Sequence, residues 1–180
     1  RGDVVVLHAC CHNPTGADLT PEQWLEVSGI VRECGLVPFL DMAYQGFGDG
    51  LDADAFAVRH FAGQGGPVFV SSSFSKSISL YGERVGALSV VTDSQDEAAR
   101  TLSQLKRVIR TNYSNPPTHG GQVVAMVLGS VALREMWEKE LAGMRDRIRI
   151  MREQLAAKLS ARLPSPVSYT HLRAHETRED

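Results

Sequence analysis

Val4-Val5-Val6-Leu7, then Thr20-Pro21-Glu22-Gln23-Trp24-Leu25-Glu26-Val27-Ser28-Gly29-Ile30-Val31-Arg32-Glu33-Cys34-Gly35, then Leu36-Val37-Pro38-Phe39-Leu40: these three pieces decide the fold. An unbroken apolar run such as Val4 to Leu7 predicts a strand buried on both faces of a parallel sheet. Thr20 is placed to cap a helix, Pro21 suits its first position, and Gln23 completes a capping box. Trp24, Val27, Ile30 and Val31 recur at helical spacing and form its apolar face, and Gly35 ends it. Leu36 to Leu40 is the next strand. A strand, helix and strand in this order form a right-handed βαβ unit, which gathers the loops useful for chemistry at the carboxyl ends of the strands.

Working outward, Val68 to Val70 reads as a third strand and Val85 to Val91 as a fourth. A helix from about Ser94 to Arg110 follows, then the turn-rich Asn112-Tyr113-Ser114-Asn115-Pro116-Pro117 and two more helical stretches. The second stretch is long. Leu133, Met136, Trp137, Leu141, Met144, Ile148, Met151, Leu155 and Leu159 recur three or four apart between Val131 and Leu163. Its arginines Arg145, Arg147, Arg149 and Arg152 are interspersed with acidic residues, so a solvated face is expected rather than a basic interaction surface. The fold class is therefore α/β with a mostly parallel sheet, followed by a long C-terminal helix. From Pro164 to Asp180 the pattern breaks, with two prolines, no apolar periodicity and a run of charges and histidines. This tail is expected to be disordered or non-native. Its Ser168 to Thr177 resembles translated adapter sequence, and His171 and His175 lack the intervening glutamate of a zinc helix.

The 180 residues, 43% of them hydrophobic, suffice for one sizeable core or a piece of a larger one. A net charge of -2 gives no electrostatic basis for a nucleic-acid or anionic-membrane partner. No apolar stretch has spanning length. Arg1-Gly2-Asp3 runs directly into the first strand with neither an initiator methionine nor a signal peptide, which predicts a true start further upstream. Three cysteines, two of them adjacent, fit a reducing cytoplasm better than a disulfide framework. His8-Ala9-Cys10-Cys11-His12 packs four potential metal ligands into five residues. An extended segment sends alternate side chains to opposite faces, so the four cannot converge on one tetrahedral ion, and no metal is expected.

Lys76 stands in Ser71-Ser72-Ser73-Phe74-Ser75-Lys76, directly after the third strand, and Arg84 follows eight positions on. A lysine among small hydroxyls at a strand end, with an arginine close behind, suits an imine-forming amine held beside a phosphate. That is the pattern expected for pyridoxal 5'-phosphate. The alternative for this segment alone is an ordinary surface lysine. Three further loops line up with it: Asn13-Pro14-Thr15-Gly16 after the first strand, Asp41-Met42-Ala43-Tyr44-Gln45-Gly46-Phe47 after the second, and Leu80-Tyr81-Gly82-Glu83-Arg84 before the fourth. Taken singly, Asn13 to Gly16 reads as a turn and Asp41 as a cap.

Together, in this order, these loops resemble those of the aspartate and aromatic amino acid aminotransferases of the fold type I pyridoxal phosphate family. The likeness extends from about Val4 to about Leu163, and its details are nearest the bacterial aromatic branch. The resemblance implies a three-layer sheet domain, present in part, over residues 1–130, a helix at 131–163 leading toward a small domain, and a tail at 164–180. It implies Asp41 on the pyridinium nitrogen, Asn13 and Tyr44 on the phenolic oxygen, Ser73 and Arg84 on the phosphate, and Ser75 beside them. Lys76 would carry the Schiff base and then move the substrate's proton, in a ping-pong aldimine/ketimine exchange between an L-amino acid and 2-oxoglutarate. Arg110 matches the arginine that reaches into a neighbouring subunit to bind a substrate's side-chain carboxylate, with Asn13 also near the substrate. This implies a homodimer. An ordinary cation at a helix end is the alternative for Arg110.

The family's chain is about twice this length, so the resemblance also implies that residues of the complete site lie outside these 180, and that the piece alone is inactive. Two rival classes share the same residues. One is a non-enzymatic, cofactor-sensing domain of a transcription regulator; the other is a decarboxylase or lyase on the same fold.

Overall fold

The computed structural model describes residues 2–162. Its elements in chain order are β1 (Val4–His8), α1 (Pro21–Glu33), β2 (Val37–Met42), α2 (Phe56–Gly63), β3 (Val68–Ser73), β4 (Gly86–Val91), α3 (Gln95–Asn112), α4 (His119–Gly129) and α5 (Val131–Ser160). The expected tail at 164–180, together with Leu163, lies outside the described residues.

Local chemistry accounts for α1. The Gln23 backbone N–H donates to Thr20 Oγ1 at 3.3 Å, and the Thr20 N–H donates to Gln23 Oε1 at 2.9 Å, so both bonds of the capping box are present. At the other end Gly35 takes φ 62°, a left-handed conformation that glycine enters without a Cβ clash. Its N–H donates to the Arg32 carbonyl at 3.0 Å and the Leu36 N–H to the Val31 carbonyl at 2.9 Å, the paired bonds of a Schellman stop. The chain is thereby turned straight into β2.

The sheet runs β1-β2-β3-β4, with β1, β2 and β3 parallel and β4 antiparallel to β3. Pro38 lies inside β2, yet the ladder to β3 begins only at Phe39, so a position without an N–H is tolerated there. One face of the sheet is covered by α1 and α2. Leu40, fully buried, packs with Met42, Val68 and Val70 against Trp24, Val31, Ala57 and Phe61. Trp24 and Phe61 meet edge to face, ring centroids 6.2 Å apart.

The structure corrects one expectation and adds one element. β1 is buried on one face only: Val5 and Leu7 pack toward the core, while Val4 and Val6 are 58% and 62% exposed. They share a face with Phe39, Asp41, Phe69 and Ser71, the side of the sheet away from α1 and α2. The stretch between Leu40 and Val68 also contains a helix, α2, that the sequence pattern does not signal. Ala55 at its N-cap offers no side-chain bond, and packing of Ala57 and Phe61 holds it in place.

Reversal of β4 sets the site. Residues 74–85 leave β3 and return beside it, closed at the base by the Ser73 and Gly86 register pair and by a bond from the Phe74 N–H to the Val85 carbonyl at 3.2 Å. A residue placed before β4 therefore sits at the same sheet end as the residues that follow β1, β2 and β3.

Candidate active site

The carboxyl ends of β1, β2 and β3 bring three side chains into register on the face away from α1 and α2. His8 pairs with Asp41 across β1 and β2, and Asp41 pairs with Ser71 across β2 and β3. Ser71 Oγ donates to Asp41 Oδ1 at 2.6 Å, and His8 Nε2 lies 3.9 Å from Asp41 Oδ2. The other nitrogen of His8, Nδ1, accepts from the Asn13 backbone N–H at 3.1 Å, which puts the proton of a neutral ring on Nε2, toward the carboxylate. Asp41 is thus held from both sides, and the Asn13 turn is tied to it through one imidazole. Neither His8 nor Ser71 stands out as a partner of Asp41 in the sequence. The signal that finds them is strand register, which needs the pairing of β1, β2 and β3.

Asp18 shapes the turn that carries Asn13. Its carboxylate accepts from the Cys11 N–H at 2.9 Å and the His12 N–H at 2.7 Å. The Tyr44 loop is shaped the same way by Asp54, which lies a little further along the chain. Buried Asp54 accepts from the N–H groups of Gly46 at 2.7 Å, Gly48 at 3.0 Å and Asp49 at 2.8 Å. Hydrogen bonds to a charged acceptor are worth roughly 1.5–3 kcal/mol each, so Asp54 is a principal organiser of this loop.

Lys76 is half-buried, with Nζ 5.2 Å from the centre of the Tyr44 ring and 5.8 Å from that of Tyr81. An ammonium at this distance is attracted by the ring faces. Ser75 is buried beside it, and its N–H donates to Ser73 Oγ at 3.2 Å. Arg84 adopts φ 51° and donates from Nη1 to the Tyr81 carbonyl at 3.1 Å, with its side chain on the surface. Asn13, Asp41, Tyr44, Ser73, Ser75, Lys76 and Arg84 thus occupy one end of the sheet. Arg110 does not join them. It lies in the last turn of α3, exposed, and donates to Ser114 Oγ in the following turn.

The cysteine and histidine segment also takes a definite form. Cys10, Cys11 and Asp54 have ligand atoms within 4.8 Å of one another, while His8 and His12 face their own partners, Asp41 and Thr15. A hydrogen bond with Cys11, then burial, pushes the Cys10 thiol far above the ordinary thiol range, which disfavours the thiolate that a metal or an electrophile requires.

The solvated face expected for the α5 arginines needs one correction. Arg147 and Arg149 are exposed, but Arg145 turns inward and donates from Nη1 to the Gly46 carbonyl at 3.3 Å. Of the apolar series on this helix, Leu141 is buried, whereas Met136, Met151 and Leu155 remain exposed.

The site's donor set fits pyridoxal phosphate: a fixed carboxylate, a partly shielded amine, a guanidinium and two hydroxyls gathered at strand ends. The model of the aminotransferase class I and II family matches residues 1–175. The chain is 67% identical over 158 residues to an aspartate aminotransferase of Pseudomonas aeruginosa, covering 86% of this chain and 40% of that protein. It is 54% identical over 161 residues to the aromatic-amino-acid aminotransferase of Escherichia coli, covering 89% of this chain and 41% of that protein. Among solved structures, an aromatic-amino-acid aminotransferase from Burkholderia pseudomallei, covalently bound to pyridoxal phosphate, superposes with a TM-score of 0.90 at 64% identity, covering 96% of this chain and 43% of that one. The chain spans about two fifths of the length of these relatives. Family model, relatives and fold agree, and the chain belongs to the class I and II aminotransferases.

Proposed function

We propose that the protein is a pyridoxal phosphate-dependent aminotransferase that exchanges amino and oxo groups between an L-amino acid, aromatic or aspartate, and 2-oxoglutarate. The observation that carries this reading is the gathering of Asp41, Lys76 and Arg84 at one sheet end, with Asp41 fixed by Ser71 and His8. Bound there, the cofactor supplies an electron sink for the charge left on a substrate's α-carbon.

The remaining chemistry belongs to the protein. Asp41 keeps a proton on the pyridine nitrogen by placing a negative charge beside it, and Ser71 fixes which oxygen faces the ring. Asn13 and Tyr44 donate to the phenolic oxygen. Arg84, Ser73 and Ser75 hold the phosphate, the guanidinium fork resisting its rotation. Lys76 Nζ would be the point of covalent attachment, and as a free amine it would carry the proton from the substrate's α-carbon to the cofactor's imine carbon. Arg110, exposed on α3, serves a neighbouring subunit's substrate carboxylate in a homodimer. Residues 1–130 form part of the cofactor-binding domain, and α5 leads from it toward a second one. Among the described residues no helix is long and apolar enough to cross a membrane. We place the enzyme in the cytoplasm on its cysteine usage, Cys10, Cys11 and Cys34 being free thiols. The regulator alternative finds no support among the matched relatives, which are named aminotransferases.

The test is to express the protein with pyridoxal phosphate and record the absorbance of the cofactor attached to lysine, before and after Lys76→Ala. The attached-cofactor band is expected in the wild type and absent from the variant. A band that survives Lys76→Ala, or a wild type that never acquires one, refutes the assignment.

A further inference from the structure

One face of α5 reaches both loops that flank the Lys76 amine. Trp137 Nε1 donates to the Ser77 carbonyl at 2.6 Å, across sixty positions of sequence. One turn further, Leu141 is 1% exposed and occupies the space beside Gly46; a Cβ on Gly46, which takes φ 96°, would collide with its side chain. After another turn Arg145 donates to the carbonyl of that same Gly46. Positions 137, 141 and 145 are four apart and therefore lie one above another on a helix. Gly46 follows Tyr44 by two residues, and Ser77 follows Lys76 directly.

The lysine segment is weakly held by its own backbone. Its internal bonds run from the Ile78 N–H to the Phe74 carbonyl at 3.3 Å, from Leu80 to Phe74 at 3.4 Å and from Ser79 to Lys76 at 3.1 Å, and Ser79 adopts φ 56°. The indole bond is shorter than all three, and it lands on a residue only 6% exposed, where water is a poor substitute. A buried carbonyl that loses its donor bears the full desolvation penalty. The peptide on which Lys76 is mounted is thus fixed from outside the segment.

We infer that Trp137 is a positioning residue for Lys76. Its N–H orients the Ser77 peptide, and Leu141 and Arg145 hold the Tyr44 loop in the same frame, so that α5 sets the distance between the amine and the tyrosine ring. The inference rests on the assignment of Lys76 proposed above.

Trp137→Phe keeps an aromatic ring and removes the donor; replacing Trp137 by β-(3-benzothienyl)alanine keeps the indole shape and removes only the N–H. Hydrogen exchange is first measured on the cofactor-free chain. Amides at 74–80 are expected to exchange about five- to ten-fold faster in both variants, with α1 unchanged as an internal control. With pyridoxal phosphate added, the pH at which the Lys76-attached chromophore titrates should shift in both variants, and because the isostere preserves the packing, its shift reports the lost N–H alone. If the sulfur isostere behaves like wild type in exchange and titration, the N–H does no positioning and the inference is overturned. If Trp137→Phe fails to fold, the isostere alone decides. A wild type that takes up no cofactor sinks the proposed function, and exchange in the cofactor-free chain still decides the role of Trp137.

Discussion

Replacing Asp54 with alanine should destabilise the protein by about 3–5 kcal/mol, although Asp54 lies outside the set of residues proposed to face the cofactor. Three backbone N–H groups converge on its carboxylate, at 2.7, 3.0 and 2.8 Å. At roughly 1.5–3 kcal/mol for each bond to a charged acceptor, the simple sum is about 4.5–9 kcal/mol. Water recovers part of it, because Asp49 is exposed and Gly48 half-buried, while Gly46 is buried and its N–H keeps the full penalty. Asp54→Asn retains the shape but turns an NH2 toward backbone donors, and should cost about 2–4 kcal/mol. Urea unfolding followed by circular dichroism reads both. With a slope of about 2 kcal/mol/M, the Asp54→Ala midpoint should fall by roughly 1.5–2.5 M without a change in slope. Typical domains have about 5–15 kcal/mol in total, so this is a large fraction. Either variant lying within about 1 kcal/mol of wild type would refute the reasoning.

Thr20→Ala removes the capping oxygen of α1 and should cost about 1 kcal/mol by the same measurement, with Thr20→Ser recovering most of it. Iodoacetamide should modify exposed Cys34 first and buried Cys10 last, as followed by mass spectrometry. Because Cys10 keeps its proton in the folded state while an unfolded thiol ionises near about pH 8.5, its contribution is intact below that pH and is lost as pH rises above it. Stability should fall by up to about 1.4 kcal/mol per pH unit there, and Cys10→Ala should flatten the slope. In the full-length protein, Arg110→Ala should lower kcat/KM for aspartate by about 100-fold, the loss of a charge-assisted pair, and leave phenylalanine within a few-fold; equal losses for both would show that Arg110 does not read the side-chain carboxylate.

What the sequence discloses follows the range of the forces involved. α1 is legible residue by residue because Thr20, Pro21, Gln23 and Gly35 each act on backbone within a turn of themselves. The same holds for Ser94, whose side chain accepts from the Glu97 N–H at the start of α3. α2 is illegible because Ala55 caps nothing and the helix exists through contacts of Ala57 and Phe61 with residues far along the chain. Val4 and Val6 mislead for a related reason: an apolar run gives the hydrophobicity of both faces of a strand but not which of them another element covers. In the site, Lys76, Asp41 and Arg84 are legible because strand ends deliver them. His8, Ser71, Asp54 and Trp137 act across register, a loop or the length of a helix, and become visible only when the pairing is known.

Residues 74–85 form a closed ring on the sheet, with Lys76 near one root and Arg84 near the other. Closing such a ring depends only weakly on its size: doubling the length costs about 0.6 kcal/mol. Thermodynamics therefore tolerates insertions there almost as readily as in any surface loop. On the proposed function, the interval between amine and guanidinium is instead set by the distance between the aldehyde carbon and the phosphate of the one small molecule they would hold. A library of one- to four-residue insertions at Ser79 would accordingly separate the two demands, leaving the melting temperature nearly level while cofactor retention collapses.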